Sequence, residues 1–183
     1  MASLPRVYVD SCCFLEAAQK ISTPGRENDV FFIRKLLEAA QAKDVIVHAS
    51  VLTVAECYQV PGVSTEEAIE LFSYVLTSGH CARIINPTVF TGEIARDLFV
   101  KHSVKLKGPD ALHVASALEK KCLEFITFDG KKGTSPLKNA GALSKLGLRV
   151  IRPSETLALP NEYRQESFPS LHGSGLQPPA IGN

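Results

Sequence analysis

Short β-branched runs alternate with helix-length segments along most of the chain, and that alternation is the tightest constraint on its fold. The runs are Arg6–Asp10 (RVYVD), Asp44–His48 (DVIVH), Arg83–Ile85, Glu124–Asp129 (EFITFD) and Arg149–Ile151. Between them, Ser11–Lys20, Asp29–Lys43, Ser50–Val60, Ser64–Thr77, Thr88–His102 and Pro109–Lys121 read as helices. In Asp29–Lys43, the residues Phe32, Ile33, Leu36, Leu37 and Ala40 recur at helical spacing, with Asp29 in the place of an N-cap. Ser64 and Glu67 form a capping box, and Pro61-Gly62 stops the helix before it. Pro109 stands in a first turn, where its missing N–H does no harm. Strands separated by helices make parallel β-α units. The expectation is a three-layer α/β/α domain over residues 1–160, around a central parallel sheet of about five strands. Beyond Pro160 the pattern fades, so residues 161–183 are expected as a weakly structured C-terminal tail. Its end, Phe168–Asn183, is rich in Pro, Gly and Ser.

A length of 183 residues fits one domain. With 45% hydrophobic and 21% charged residues, wholesale disorder is excluded. The net charge of +1 excludes a strongly basic nucleic-acid coat. The charge is uneven, however. Met1–Val100 holds 8 basic and 12 acidic residues, whereas Lys101–Pro153 holds 11 basic and 4 acidic. The basic segment reads either as solvated lysines or as a phosphate-attracting rim. No apolar run reaches the ~18 residues that span a bilayer, and Arg6, Asp10 and Glu16 interrupt the start. The N-terminus carries no secretory signal pattern. Five cysteines without a C-x-x-C pair fit a reducing compartment, with most of the thiols as buried filler. The expected location is the cytoplasm, with no membrane contact.

Four carboxylates attract attention. Asp10 and Asp129 end the first and fourth runs, and ligands of open parallel sheets bind at strand carboxyl ends. Separately, Asp10 could cap the following helix and Asp129 could be a turn residue before Gly130. Glu56 closes the stripe Ser50-Thr53-Glu56, spaced by three along one helical face. It is either a surface glutamate or a partly buried one among apolar neighbours. Asp110 follows Gly108-Pro109, where the helix dipole favours an acid. His113, one turn on, reads as a helix-packing residue. Brought together, four carboxylates would repel, and an oxygen-rich anionic pocket is what Mg²⁺ or Mn²⁺ prefers. Such ions activate water and steady charge on a phosphodiester.

The segments VYVDSC at Val7–Cys12, Ser50-Thr53-Glu56, GPDALHVASAL at Gly108–Leu118 and FITFDGK at Phe125–Lys131 together resemble the PIN domain. The look is that of VapC-type toxins of toxin–antitoxin pairs, over about Leu4–Pro153. The resemblance implies a Mg²⁺- or Mn²⁺-dependent endoribonuclease with a central parallel sheet, an antitoxin partner and a homodimer. It implies a catalytic and metal-binding role for Asp10, Glu56, Asp110 and Asp129. Ser11 and Thr127 would support them through their hydroxyls. Lys105, Lys107, Lys131 and Lys132 are candidates for RNA phosphate contacts. Two other readings stand beside this one. A Mg²⁺-dependent phosphatase or phosphotransferase would use Asp10 as nucleophile, although Cys12 stands where a D-x-D pair needs its second acid. A non-catalytic RNA- or protein-binding domain is the other, and the complete acidic set speaks against it.

Overall fold

The computed structural model describes residues 3–130 and 132–165. Five strands form one parallel sheet: β1 (Arg6–Val9), β2 (Ile46–Ser50), β3 (Arg83–Ile85), β4 (Glu124–Ile126) and β5 (Arg149–Ile151). Their order is β3-β2-β1-β4-β5. The chain steps outward from β1 to β3, then returns to the other side of β1 for β4 and β5. The order therefore reverses between β1 and β4, which opens a crevice at their carboxyl ends.

Helices cover both faces, as expected for a parallel sheet. Along β1, Val7 and Val9 face one way and Tyr8 the other, the period-two alternation of a strand. Val7, Val9 and Ile126 pack with Phe14 of α1 (Ser11–Ala18), Ile33 and Leu36 of α2 (Glu27–Gln41), and Ala68 and Phe72 of α4 (Thr65–Phe72). Tyr8 and Phe125 pack on the opposite face with Leu98 of α5 (Val89–Val100), Val114 of α6 (Gly108–Glu119) and Leu143 of α7 (Ala140–Ser144). The register pairs Tyr8 with Phe125, and their rings stack 5.2 Å apart. Cys13, Cys57, Cys81 and Cys122 are buried and in no disulfide, as filler should be, while Cys12 is half-buried.

The capping box at Ser64 and Glu67 forms, and Thr88 caps α5. Other elements differ from expectation. The helix read over Ser50–Val60 is shorter: α3 spans Val51–Glu56, with Ser50 ending β2 and capping it. Cys57 leaves the helical conformation and turns its thiol into the core. The helix from Ser64 changes to a π-helical turn at Ser73–Thr77. Asp29 is not an N-cap. The helix α2 starts at Glu27, and Asp29 is buried inside its first turn. There it accepts hydrogen bonds from Arg152 Nε (3.1 Å) and from the Ser154 backbone N–H (3.0 Å). Local spacing marked an acid near a helix start, but a partner 123 residues away decides what it does. The short helix α7 and the turn Leu137–Asn139 before it carry no readable period.

Residues 161–165, assigned from sequence to the tail, begin with one more helical turn, α8 (Asn161–Arg164). Tyr163 donates to Asp44 Oδ2 at 2.7 Å, and Arg164 bonds the carbonyls of Leu159 and Thr156. Phe168–Asn183 lies outside the described residues. No helix among the described residues is long and apolar enough to cross a membrane.

Candidate active site

The crevice between β1 and β4 holds Asp10. It follows β1 directly, caps α1, and is almost fully buried. Its Oδ1 accepts from the Ser11 backbone N–H at 2.8 Å, and its Oδ2 accepts from the Thr127 hydroxyl at 2.7 Å. Thr127 is fully buried, so this charge-assisted bond is little weakened by water. The same Thr127 oxygen accepts from the Asp129 backbone N–H at 3.0 Å. One hydroxyl thus ties the first aspartate to the loop that carries the last. Ser11 works mainly through its backbone, since its hydroxyl is 3.5 Å from Oδ1. Sequence reasoning passed over Cys12, whose sulfur lies 3.4 Å from both Asp10 Oδ2 and Thr127 Oγ1.

Asp110 reaches the crevice from the first turn of α6, whose N-cap position is Lys107 and has no side-chain cap bond. Burial raises the Asp110 carboxyl above its ordinary range, and the charges of Asp10 and Asp129 push it the same way, against His113 and Lys107. The three aspartates therefore share one electrostatic neighbourhood. Glu56, at the end of α3, forms no hydrogen bond with them. Its Oε2 lies 3.3 Å from His113 Nε2. Beside it, burial pushes the Cys57 thiol up to about 12, with help from the charges of Glu56, Asp10 and Cys12. His113 is buried as a packing residue should be, yet it also bonds three polar side chains. Its place one turn after Asp110 was the available signal.

The basic candidates lie on two neighbouring loops. Asn139 Nδ2 donates to the Lys105 carbonyl (3.1 Å) and to the carbonyls of Gly133 and Ser135. Lys132 is anchored in that second loop by its backbone N–H to Ser135 Oγ at 3.0 Å. Lys131 lies outside the described residues. A concavity of about 440 Å³, lined by Pro5, Leu123, Glu124 and Arg149 among others, is at the opposite, amino end of the strands.

Among the described residues, no three His, Cys, Asp or Glu side chains gather as a ready cage for an ion. Mg²⁺ does not need one, because it keeps several waters and takes one or two carboxylates. The donor chemistry fits a hard cation, and the charge that Asp10 and Asp129 exert on Asp110 is the repulsion a cation relieves.

Burial of Asp110, together with that repulsion, predicts a pH effect. A carboxyl raised in the fold binds its proton more tightly there than in the unfolded chain. It favours folding at low pH, and this is lost as pH rises from the ordinary carboxylate range through the raised value. Metal-free Asp110→Asn should therefore melt above wild type at pH 7, and the gap should close as pH falls below the ordinary range. Mn²⁺ should raise the melting temperature of wild type more than that of the variant. A variant that melts lower in EDTA and gains equally from Mn²⁺ would make Asp110 a helix-end residue only.

The comparisons with known proteins agree with this architecture. Among solved structures, FitAB bound to an IR36 DNA fragment aligns with a TM-score of 0.57 at 16% identity, covering 82% of this chain and 96% of that one. FitAcB from Neisseria gonorrhoeae aligns with a TM-score of 0.56 at 16% identity, covering 82% of this chain and 99% of that one. At that identity the likeness shows the shared fold. No curated protein matches the chain. The sequence pattern of the PIN domain matches residues 7–131, a stretch that runs from β1 through the loop after Asp129, and so the chain belongs to the PIN domain family.

Proposed function

We propose that this protein is a Mg²⁺- or Mn²⁺-dependent endoribonuclease, the toxin of a toxin–antitoxin pair. The observation that carries the reading is the meeting of Asp10 and the Asp129 loop on one buried hydroxyl, Thr127, at the crevice where the strand order reverses, with Asp110 under the charges of both aspartates. PIN domains are generally nucleases. RNA as substrate and an antitoxin as partner rest on the resemblance to VapC-type toxins.

A bound Mg²⁺ or Mn²⁺ supplies Lewis acidity toward a phosphodiester and a water of lowered pKa. Asp10, Asp110 and Asp129 would hold it, and Glu56 would either join them or act as base. Thr127 and the Ser11 N–H keep both Asp10 oxygens oriented, as partners behind a ligand should. Lys105, Lys107 and Lys132, with Lys131, would meet the phosphates along the rim. A phosphatase with an aspartyl nucleophile is less well supported. Cys12 fills the place of the second acid that such a phosphatase needs.

The test is incubation with RNA, a DNA fragment and a phosphate monoester, each with Mn²⁺ or EDTA. The DNA arm is included because FitAB is bound to DNA in its structure. Cleavage of RNA with Mn²⁺ alone is expected. Hydrolysis of the monoester instead would make the protein a phosphatase, and inertness of the folded protein toward all three would overturn the nuclease reading.

The chain should also pair with itself. Ile69, Leu71 and Tyr74, on α4 and the turn after it, are exposed, so this segment leaves apolar side chains uncovered. Light scattering should give the mass of a dimer, and a monomer at tens of micromolar, roughly where Kd values of useful pairs lie, would refute pairing.

A further inference from the structure

Glu56 is half-buried, with 40% of its side chain open to solvent. A glutamate so placed ordinarily wanders among rotamers, and ordering it opposes side-chain entropy. Here its carboxylate meets a ring that cannot wander. His113 is 2% exposed and is gripped from the other side. Its Nδ1 lies 2.7 Å from the Tyr8 hydroxyl and 3.4 Å from Ser50 Oγ, while its Nε2 faces Glu56 Oε2 at 3.3 Å.

The geometry selects the hydrogen positions. A carboxylate only accepts, so Nε2 carries the hydrogen. Tyr8 and Ser50 can each donate or accept, so they suit Nδ1 in either state of the ring. Tyr8 is itself immobile: it is fully buried in the middle of β1 and stacked on Phe125. Burial also raises its hydroxyl well above the ordinary range, so the phenol keeps its hydrogen. Ser50 caps α3, the helix that Glu56 ends. The imidazole thus spans α3, touching the cap at its start and the carboxylate at its end. A chain of side-chain contacts runs from the central strand through α6 to a half-buried acid.

We propose that His113 is the positioning residue of Glu56, holding its carboxylate through the Nε2–H while Tyr8 and Ser50 hold the ring. The proposal rests on the reading of Glu56 as part of the nuclease site. Its function is to present Glu56 in one orientation, as the partners behind catalytic and ligating groups do.

The test separates the hydrogen bond from the activity. Nitrogen-15 spectra of the histidine rings in the whole protein should show His113 with its hydrogen on Nε2, and Glu56→Ala should move that resonance. A ring with its only hydrogen on Nδ1, or a resonance indifferent to Glu56→Ala, would overturn the proposal whether or not RNA is cleaved. In the cleavage assay, His113→Asn keeps a polar group near Tyr8 but cannot reach Glu56, and it should lower kcat by about 10–100-fold with KM little changed. His113→Gln places an N–H near the position of Nε2 and should restore most of that loss. In the Glu56→Gln background, His113→Asn should cost little more, because the two act as one unit. Equal losses in the Asn and Gln variants, or full additivity with Glu56→Gln, would make His113 a packing residue only. A wild type that cleaves no RNA with Mn²⁺ would sink the nuclease reading, while the ring spectra would still decide the hydrogen bond.

Discussion

Asp10→Asn is expected to leave a folded protein whose Mn²⁺-dependent RNA cleavage is slower by about 10²–10³-fold, the usual effect of removing one group that stabilises a reacting charge. The substitution should not unfold the chain. The Asn oxygen can still accept from the Ser11 N–H and cap α1, and the new amide can donate to Thr127 Oγ1 where the hydroxyl formerly donated to Asp10. The exchange also removes one of the charges that press on Asp110. Melting curves and cleavage rates on the same sample separate the two effects. Full activity in a folded Asp10→Asn protein would remove the metal-site reading. Lost activity with a collapsed melting transition would show a structural aspartate instead.

The second large effect concerns stability and lies away from the crevice. Asp29 is 4% exposed, and its two oxygens receive Arg152 and the Ser154 N–H, which fastens the segment after β5 onto α2. Arg152 and Arg26 also lie over the Phe128 ring, at 5.9 and 4.4 Å from its centre. Breaking a fully buried ion pair costs about 3–5 kcal/mol. Arg152 is 47% exposed in its side chain, so it would recover hydration once its partner is gone. The backbone N–H of Ser154 would lose its acceptor. Asp29→Ala should therefore cost about 2–3 kcal/mol, or on the order of 5–10 °C in melting temperature for a chain of this size. A loss below about 0.5 kcal/mol in denaturant titration would place this pair with ordinary surface bridges.

The parts of this protein legible in one dimension are those governed by interactions within about four residues. The strands Arg83–Ile85 and Arg149–Ile151 stand where β-branched runs put them, and the capping box at Ser64 and Glu67 closes as its spacing requires. Asp10 and Asp129 were recognisable because a strand end followed by a helix or turn marks a crevice edge in parallel sheets. Local pattern misassigned Asp29, since the same acid near a helix start can cap or be buried. The choice fell to Arg152, 123 residues on. Alternating strands and helices imply a parallel sheet but not the order β3-β2-β1-β4-β5, because every permutation with right-handed crossovers carries the same pattern. That order brings Thr127 to Asp10 across 117 residues and His113 to Glu56 across 57. Periodicity records which face of an element is apolar. Which polar atoms meet inside follows from how those faces pack, because a buried donor or acceptor must find a partner wherever the fold places one.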